Sequence, residues 1–84
     1  MTVVDIYTKQ TCPFCVRAKA LLAEKNVAFN EIKIDSDSDL RTKMIERSNG
    51  AYTVPQIFFN DNHVGGCDDL FALHTSGKLD ELLK

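Results

Sequence analysis

The sequence predicts an α/β fold, one four-stranded mixed sheet flanked by helices in the order β-α-β-α-β-β-α. Three observations carry this. Short runs of β-branched and aromatic residues alternate with stretches of helical period. The connections between the first strands are helix-length, which suits parallel pairing. The short polar link Asn60-Asp61-Asn62 instead suits an antiparallel return. At 84 residues, a single domain over 1–84 is expected, long enough for one small core.

Residues 3–7 open the chain as a strand, since Val3, Val4, Ile6 and Tyr7 all favour extended backbone. Thr11-Cys12-Pro13 reads as a helix start, because proline is favoured at the first helical position. The helix runs over 13–25 with Ala18, Leu21, Leu22 and Lys25 at helical spacing, and Asn26 is its terminator. Residues 27–34 alternate and form a second strand. The acidic link 35–39 is rich in capping residues and leads into a helix over 40–47, stopped by Ser48-Asn49-Gly50. Residues 54–59 are a third strand opened by Pro55, and 63–66 return beside it. Cys67-Asp68-Asp69 starts a helix carrying Leu70, Leu73 and His74, with Gly77 as its stop. Leu79, Leu82 and Leu83 add a last helical turn or two. A mixed four-stranded sheet with these connections is the thioredoxin-type arrangement.

Composition removes several function classes. A formal net charge of −2 argues against a nucleic-acid binder, which needs a surplus of Lys and Arg to meet phosphates. The apolar runs are too short to span a membrane, and no basic segment precedes a long apolar one as in a secretory signal. Three cysteines are an odd number, and two of them form a C-x-x-C pair. That suits a reducing compartment better than a secreted disulfide framework, so the cytoplasm is expected. No feature calls for more than a monomer.

The paired cysteines are not equivalent. With Pro13 as the first helical residue, Cys12 is the N-cap and Cys15 lies one turn inside. Unpaired N–H groups and the positive end of the helix dipole converge on Cys12, and both favour a thiolate. Cys15 shares a stripe with Ala18 and Leu22 and faces the core. An exposed, activated Cys12 that attacks and a sheltered Cys15 that resolves are what disulfide exchange requires. Lys9 adds positive charge on the approach. The other reading of the pair is half a zinc site, completed from Cys67, His63 and His74. A second close-spaced ligand pair is absent, so redox chemistry is the stronger reading.

Three blocks then carry a family resemblance: Ile6-Tyr7-Thr8-Lys9 before Thr11-Cys12-Pro13-Phe14-Cys15, Thr53-Val54-Pro55-Gln56-Ile57-Phe58, and Gly65-Gly66-Cys67-Asp68-Asp69-Leu70. In this order and spacing the chain resembles the dithiol glutaredoxins along essentially its whole length. The family commonly has Tyr where this chain has Phe14. The absence of Trp separates it from thioredoxins, which usually carry one before a Cys-Gly-Pro-Cys motif.

The resemblance implies a thioredoxin-like fold and a glutathione-dependent thiol–disulfide oxidoreductase. Its co-substrate is glutathione, with no tightly bound cofactor. Its partners are disulfide-bonded or glutathionylated proteins and, indirectly, an NADPH-dependent glutathione reductase. It also implies a binding groove. The backbone of Val54 pairs with the cysteinyl part of glutathione like an added strand, beside Thr53 and a Pro55 that the family holds in the cis form. Gly66, Cys67 and Asp68 offer N–H groups at a helix start to the γ-glutamyl carboxylate, with Asp68 taking the ammonium. Lys9 and Arg41 suit the glycine carboxylate, and Phe14 stands exposed beside the cysteines.

Plainer readings stand next to these. Pro55 suits the start of an edge strand, Asp68 and Asp69 suit a helix first turn, and Arg41 suits a solvated helix face. The Cys67 side chain suits packing behind the groove, and His63 and His74 receive no chemistry. The alternative function is an iron–sulfur carrier, with two chains sharing a cluster through Cys12 and two glutathiones. Pro13 disfavours it by stiffening the motif and removing an N–H near the sulfur.

Overall fold

Alternation along residues 56–59 decides the architecture, because every one of them is buried. Ile57 and Phe59 point into one apolar cluster and Phe58 into another, so this strand is covered on both faces. The computed structural model describes residues 2–83, and the end residues Met1 and Lys84 of the expected domain lie outside the described residues.

Eight elements follow in order: β1 (Val4–Thr8), α1 (Pro13–Glu24), β2 (Asn30–Lys33), α2 (Ser38–Arg47), β3 (Gln56–Phe59), β4 (Asn62–Gly65), α3 (Cys67–Thr75) and α4 (Leu79–Leu82). The sheet order is β2-β1-β3-β4. β1 pairs parallel with β2, and β3 pairs antiparallel with both β1 and β4, which gives the mixed sheet expected. Between Ile57 and Phe58 the β3–β4 register shifts, so Ile57 lies opposite Gly65 and Phe58 opposite His63.

One face of the sheet packs Val4, Ile6, Ile57 and Phe59 against Ala18, Leu21 and Leu22 of α1, Leu70 of α3 and Leu79 of α4. Each such large side chain, fully withdrawn from water, contributes about 1.5–3 kcal/mol before conformational entropy is counted. The other face sets Tyr7 and Phe58 against Met44 of α2. Arg47 closes that side. Its guanidinium lies 4.1 Å from the Phe58 ring centroid and donates to Asp5 at 3.2 Å and to the Tyr7 hydroxyl at 3.0 Å. Burial disfavours its charge, but the Tyr7 and Asp5 contacts outweigh that and push its pKa up.

The structure moves several expected boundaries. The second strand is only Asn30–Lys33, because the Val27 N–H bonds to Leu22 O at 3.0 Å in the turn that ends α1. Val27 and Phe29 pack on the core instead of joining the ladder. The third strand starts at Gln56, since Pro55 has no N–H to give a ladder and Thr53 and Val54 form the approach to it. α2 begins at Ser38, ahead of the expected start, because Asp37 accepts from the Asp39 N–H at 2.9 Å and caps the helix there.

Candidate active site

Cys12 has extended backbone (φ −138°, ψ 97°) and Pro13 is the first helical residue, so the helix start falls where the sequence places it. The Cys12 sulfur accepts the Cys15 N–H at 3.2 Å, while the Cys12 carbonyl accepts the Val16 N–H at 3.1 Å. The two cysteines are joined as a disulfide, with Cα atoms 5.2 Å apart. Their unequal shelter is smaller than expected. Cys15 is 1% exposed, but Cys12 is only 7% exposed rather than open to solvent. Its sulfur is bonded to Cys15 and has Val54 O at 3.8 Å, which screens it from the other side.

Two adjoining hollows lie beside this pair, and Cys12 lines the first of them. The first, about 590 Å³, takes in Lys9, Cys12, Phe14, Arg41, Thr53 and Val54. The second, about 420 Å³, takes in Phe14, Thr53, Val54, Pro55, Gly66, Cys67 and Asp68. Phe14, Thr53 and Val54 are the wall they share, and Phe14 is 53% exposed on its crest. The Val54–Pro55 peptide is cis. Every residue proposed from sequence as a ligand contact therefore lines one hollow or both, while Cys15 lies behind them.

The start of α3 is more constrained than the sequence suggests. The Gly66 N–H already donates to Asp69 Oδ2 at 3.0 Å, so it is not open to a ligand carboxylate. Cys67 and Asp68 are the first helical residues, whose N–H groups have no acceptor within the helix, and both line the second hollow. Gly65 sits at φ +121°, and a Cβ there would collide with the Asp69 carboxylate. Cys67 is 6% exposed, and burial pushes its thiol pKa up, partly countered by Arg17.

Sequence reasoning missed Thr11, Ile34, Asp35 and Tyr52 in the first hollow and Gln56 and Asp69 in the second. Tyr52 is 67% exposed directly before Thr53, and its position next to that block was the available signal. Asp35 accepts the Gln10 N–H at 3.0 Å and so fixes the loop that carries Lys9. His74 is not a surface residue. It is half-buried, and its Nδ1 has no hydrogen-bond partner. Among the described residues, no group of three or more His, Cys, Asp or Glu is placed to hold a metal ion.

Comparison with known proteins shows which family the sequence and fold resemble. The glutaredoxin family model matches residues 4–64. Glutaredoxin 3 of Escherichia coli K12 is 58% identical over 84 residues, covering 100% of both chains. The solution structure of a glutaredoxin from Brucella melitensis superposes with a TM-score of 0.86 at 57% identity, over 100% of this chain and 90% of that one. A crystal structure of buckwheat glutaredoxin in complex with glutathione gives 0.88 at 28% identity, over 98% of this chain and 76% of the other.

Proposed function

The chain belongs to the glutaredoxin family, as a glutathione-dependent thiol–disulfide oxidoreductase of the dithiol glutaredoxin 3 type, and from that premise we propose how its two hollows use glutathione. Glutathione lies across the shared wall with its sulfur at Cys12. Its glycine carboxylate is met by Lys9 and Arg41, and its cysteinyl backbone runs beside Val54. Its γ-glutamyl carboxylate reaches the Cys67 and Asp68 N–H groups, with the Asp68 carboxylate beside the ammonium. The observation that carries this is Cys12, its sulfur capped by the Cys15 N–H, lining the first hollow beside the wall that both hollows share. The buckwheat complex, whose protein superposes closely, supports glutathione as the ligand.

With a glutathionylated substrate, the Cys12 thiolate attacks the glutathione sulfur. A Cys12–glutathione disulfide forms, and the substrate leaves as its thiolate. A second glutathione thiolate then attacks the bound glutathione sulfur, releasing oxidised glutathione and restoring the Cys12 thiolate. With a protein disulfide, Cys12 joins one sulfur and the other departs. The Cys15 thiolate next attacks Cys12 Sγ, frees the second substrate thiol and leaves the Cys12–Cys15 disulfide present in this structure. Two glutathiones reduce that disulfide, and an NADPH-dependent reductase recycles the product. The work of a reductant suits a reducing compartment such as the cytoplasm. No helix among the described residues is long and apolar enough to cross a membrane.

The test is glutathione-coupled reduction of a small glutathione mixed disulfide, with NADPH consumption as the readout. Saturable turnover is expected of the wild type. Its absence in the reduced, folded protein would overturn the proposal.

A further inference from the structure

Gln56 is a polar side chain in a core position. It opens β3, is 4% exposed and shares a sheet face with its cross-strand partner Tyr7. A buried amide has to satisfy both of its ends. Its Nε2 donates to Thr53 Oγ1 at 3.3 Å, and its Oε1 meets His63 Nε2 at 2.6 Å. An amide oxygen only accepts, so His63 Nε2 carries the hydrogen of that bond. The imidazole is held by stacking on Phe58, with centroids 4.9 Å apart and planes 29° apart. The register shift in β3–β4 is what brings His63 opposite Phe58.

The three side chains thus form a chain of donors with one direction, His63 to Gln56 to Thr53. A free hydroxyl rotates and serves as donor or acceptor alike. Thr53 Oγ1 is already receiving a hydrogen from Gln56, so its own O–H is directed elsewhere. Thr53 is exposed and lines both hollows, so that hydrogen is presented to their occupant.

We propose that Gln56 and His63 are positioning residues that bias the Thr53 hydroxyl to donate, so the ligand group beside it is an acceptor oxygen, a carboxylate or peptide carbonyl, rather than an ammonium. This rests on glutathione occupying the hollows. It adds a specificity device to that reading: the polarity of one wall is set from the far side of the sheet edge. A Gln56 that served only to fill the core would affect folding but not binding through Thr53.

The experiment compares Gln56→Met, Thr53→Val and the double variant in the coupled assay, with a small glutathione mixed disulfide as substrate. Loss of one such hydrogen bond raises KM about 3- to 10-fold, with kcat within about twofold. Thr53→Val is expected to do this, and Gln56→Met, which leaves the hydroxyl in place but unbiased, is expected to raise KM by less, about 2- to 3-fold. The double variant is expected to match Thr53→Val alone, and Thr53→Ser to restore the wild-type KM. An unchanged KM in Gln56→Met overturns the proposal, as does a Gln56→Met effect that persists in full on top of Thr53→Val. Should Gln56→Met not fold, long-range ¹H–¹⁵N spectra of the wild type decide instead. They are expected to show His63 protonated at Nε2, and a neutral ring protonated only at Nδ1 overturns the relay. A wild type without glutathione-dependent turnover would instead sink the functional reading itself.

Discussion

The amide of Cys15 donates to the sulfur of Cys12 at 3.2 Å across the first turn of α1. In the proposed cycle, the residue that resolves the disulfide therefore also helps to hold the sulfur that attacks. Because that contact comes from backbone, it survives replacement of the Cys15 side chain.

Cys12→Ser is accordingly expected to abolish turnover, whereas Cys15→Ser keeps glutathione-dependent reduction of a mixed disulfide and loses reduction of protein disulfides. Both variants are compared in the coupled assay. Equal inactivity toward the mixed disulfide would show that the two roles are wrongly assigned.

Lys9 and Arg41 sit exposed in the first hollow, where the proposed reading has them meet an anionic end of glutathione through water-screened charge. Replacing either by Ala should raise KM about 2- to 5-fold, in keeping with solvent-exposed ion pairs. The wild-type KM should rise with added salt, and each variant should show a shallower rise. A salt response identical in all three proteins would remove both residues from the site.

Arg47 ties α2 to the sheet through Asp5, Tyr7, the Asn60 carbonyl and the Phe58 ring. Arg47→Ala should cost about 2–3 kcal/mol, and Arg47→Lys about 1 kcal/mol, because an ammonium keeps the charge without the planar fork. Urea unfolding midpoints measure this. A loss below about 0.5 kcal/mol for Arg47→Ala would mean the network is idle.

Glu31 gives a pH-dependent term. Lys19 at 2.8 Å, then the Thr8 hydroxyl at 2.7 Å, hold its carboxyl below the ordinary value of 4.5 against the opposing effect of burial. The folded chain thus releases this proton more readily than the unfolded one. The resulting stability is present above the ordinary value and fades as pH falls through the folded one. Glu31→Gln should lose under about 1 kcal/mol at neutral pH and nothing at pH about 2, since the pair is partly solvated. Equal losses at both pH values would contradict the linkage.

Local chemistry made much of the fold readable. Cys12-Pro13 marks the start of α1, Asn26 at φ 58° ends it, and the Asn60 turn at φ 57° reverses β3 into β4. What could not be read depends on distant partners. The antiparallel pairing of β1 with β3 is non-local, and Val27 and Phe29 look like strand residues until the core claims them. The site shows the same division. Cys12, Val54 and Asp68 belong to recognisable blocks, but His63 earned no role because its contact with Gln56 arises only from the β3–β4 register.

Gly65 shows how unevenly the fold tolerates change. Its backbone turns at φ +121°, and the space where a methyl group would stand is filled by the Asp69 carboxylate that holds the Gly66 N–H. The smallest enlargement available, glycine to alanine, would evict that carboxylate and release a negative charge and a loose N–H at the mouth of the second hollow. A position that lines neither hollow is thereby strained by any side chain, and the sequence space around the groove is narrower than its lining implies.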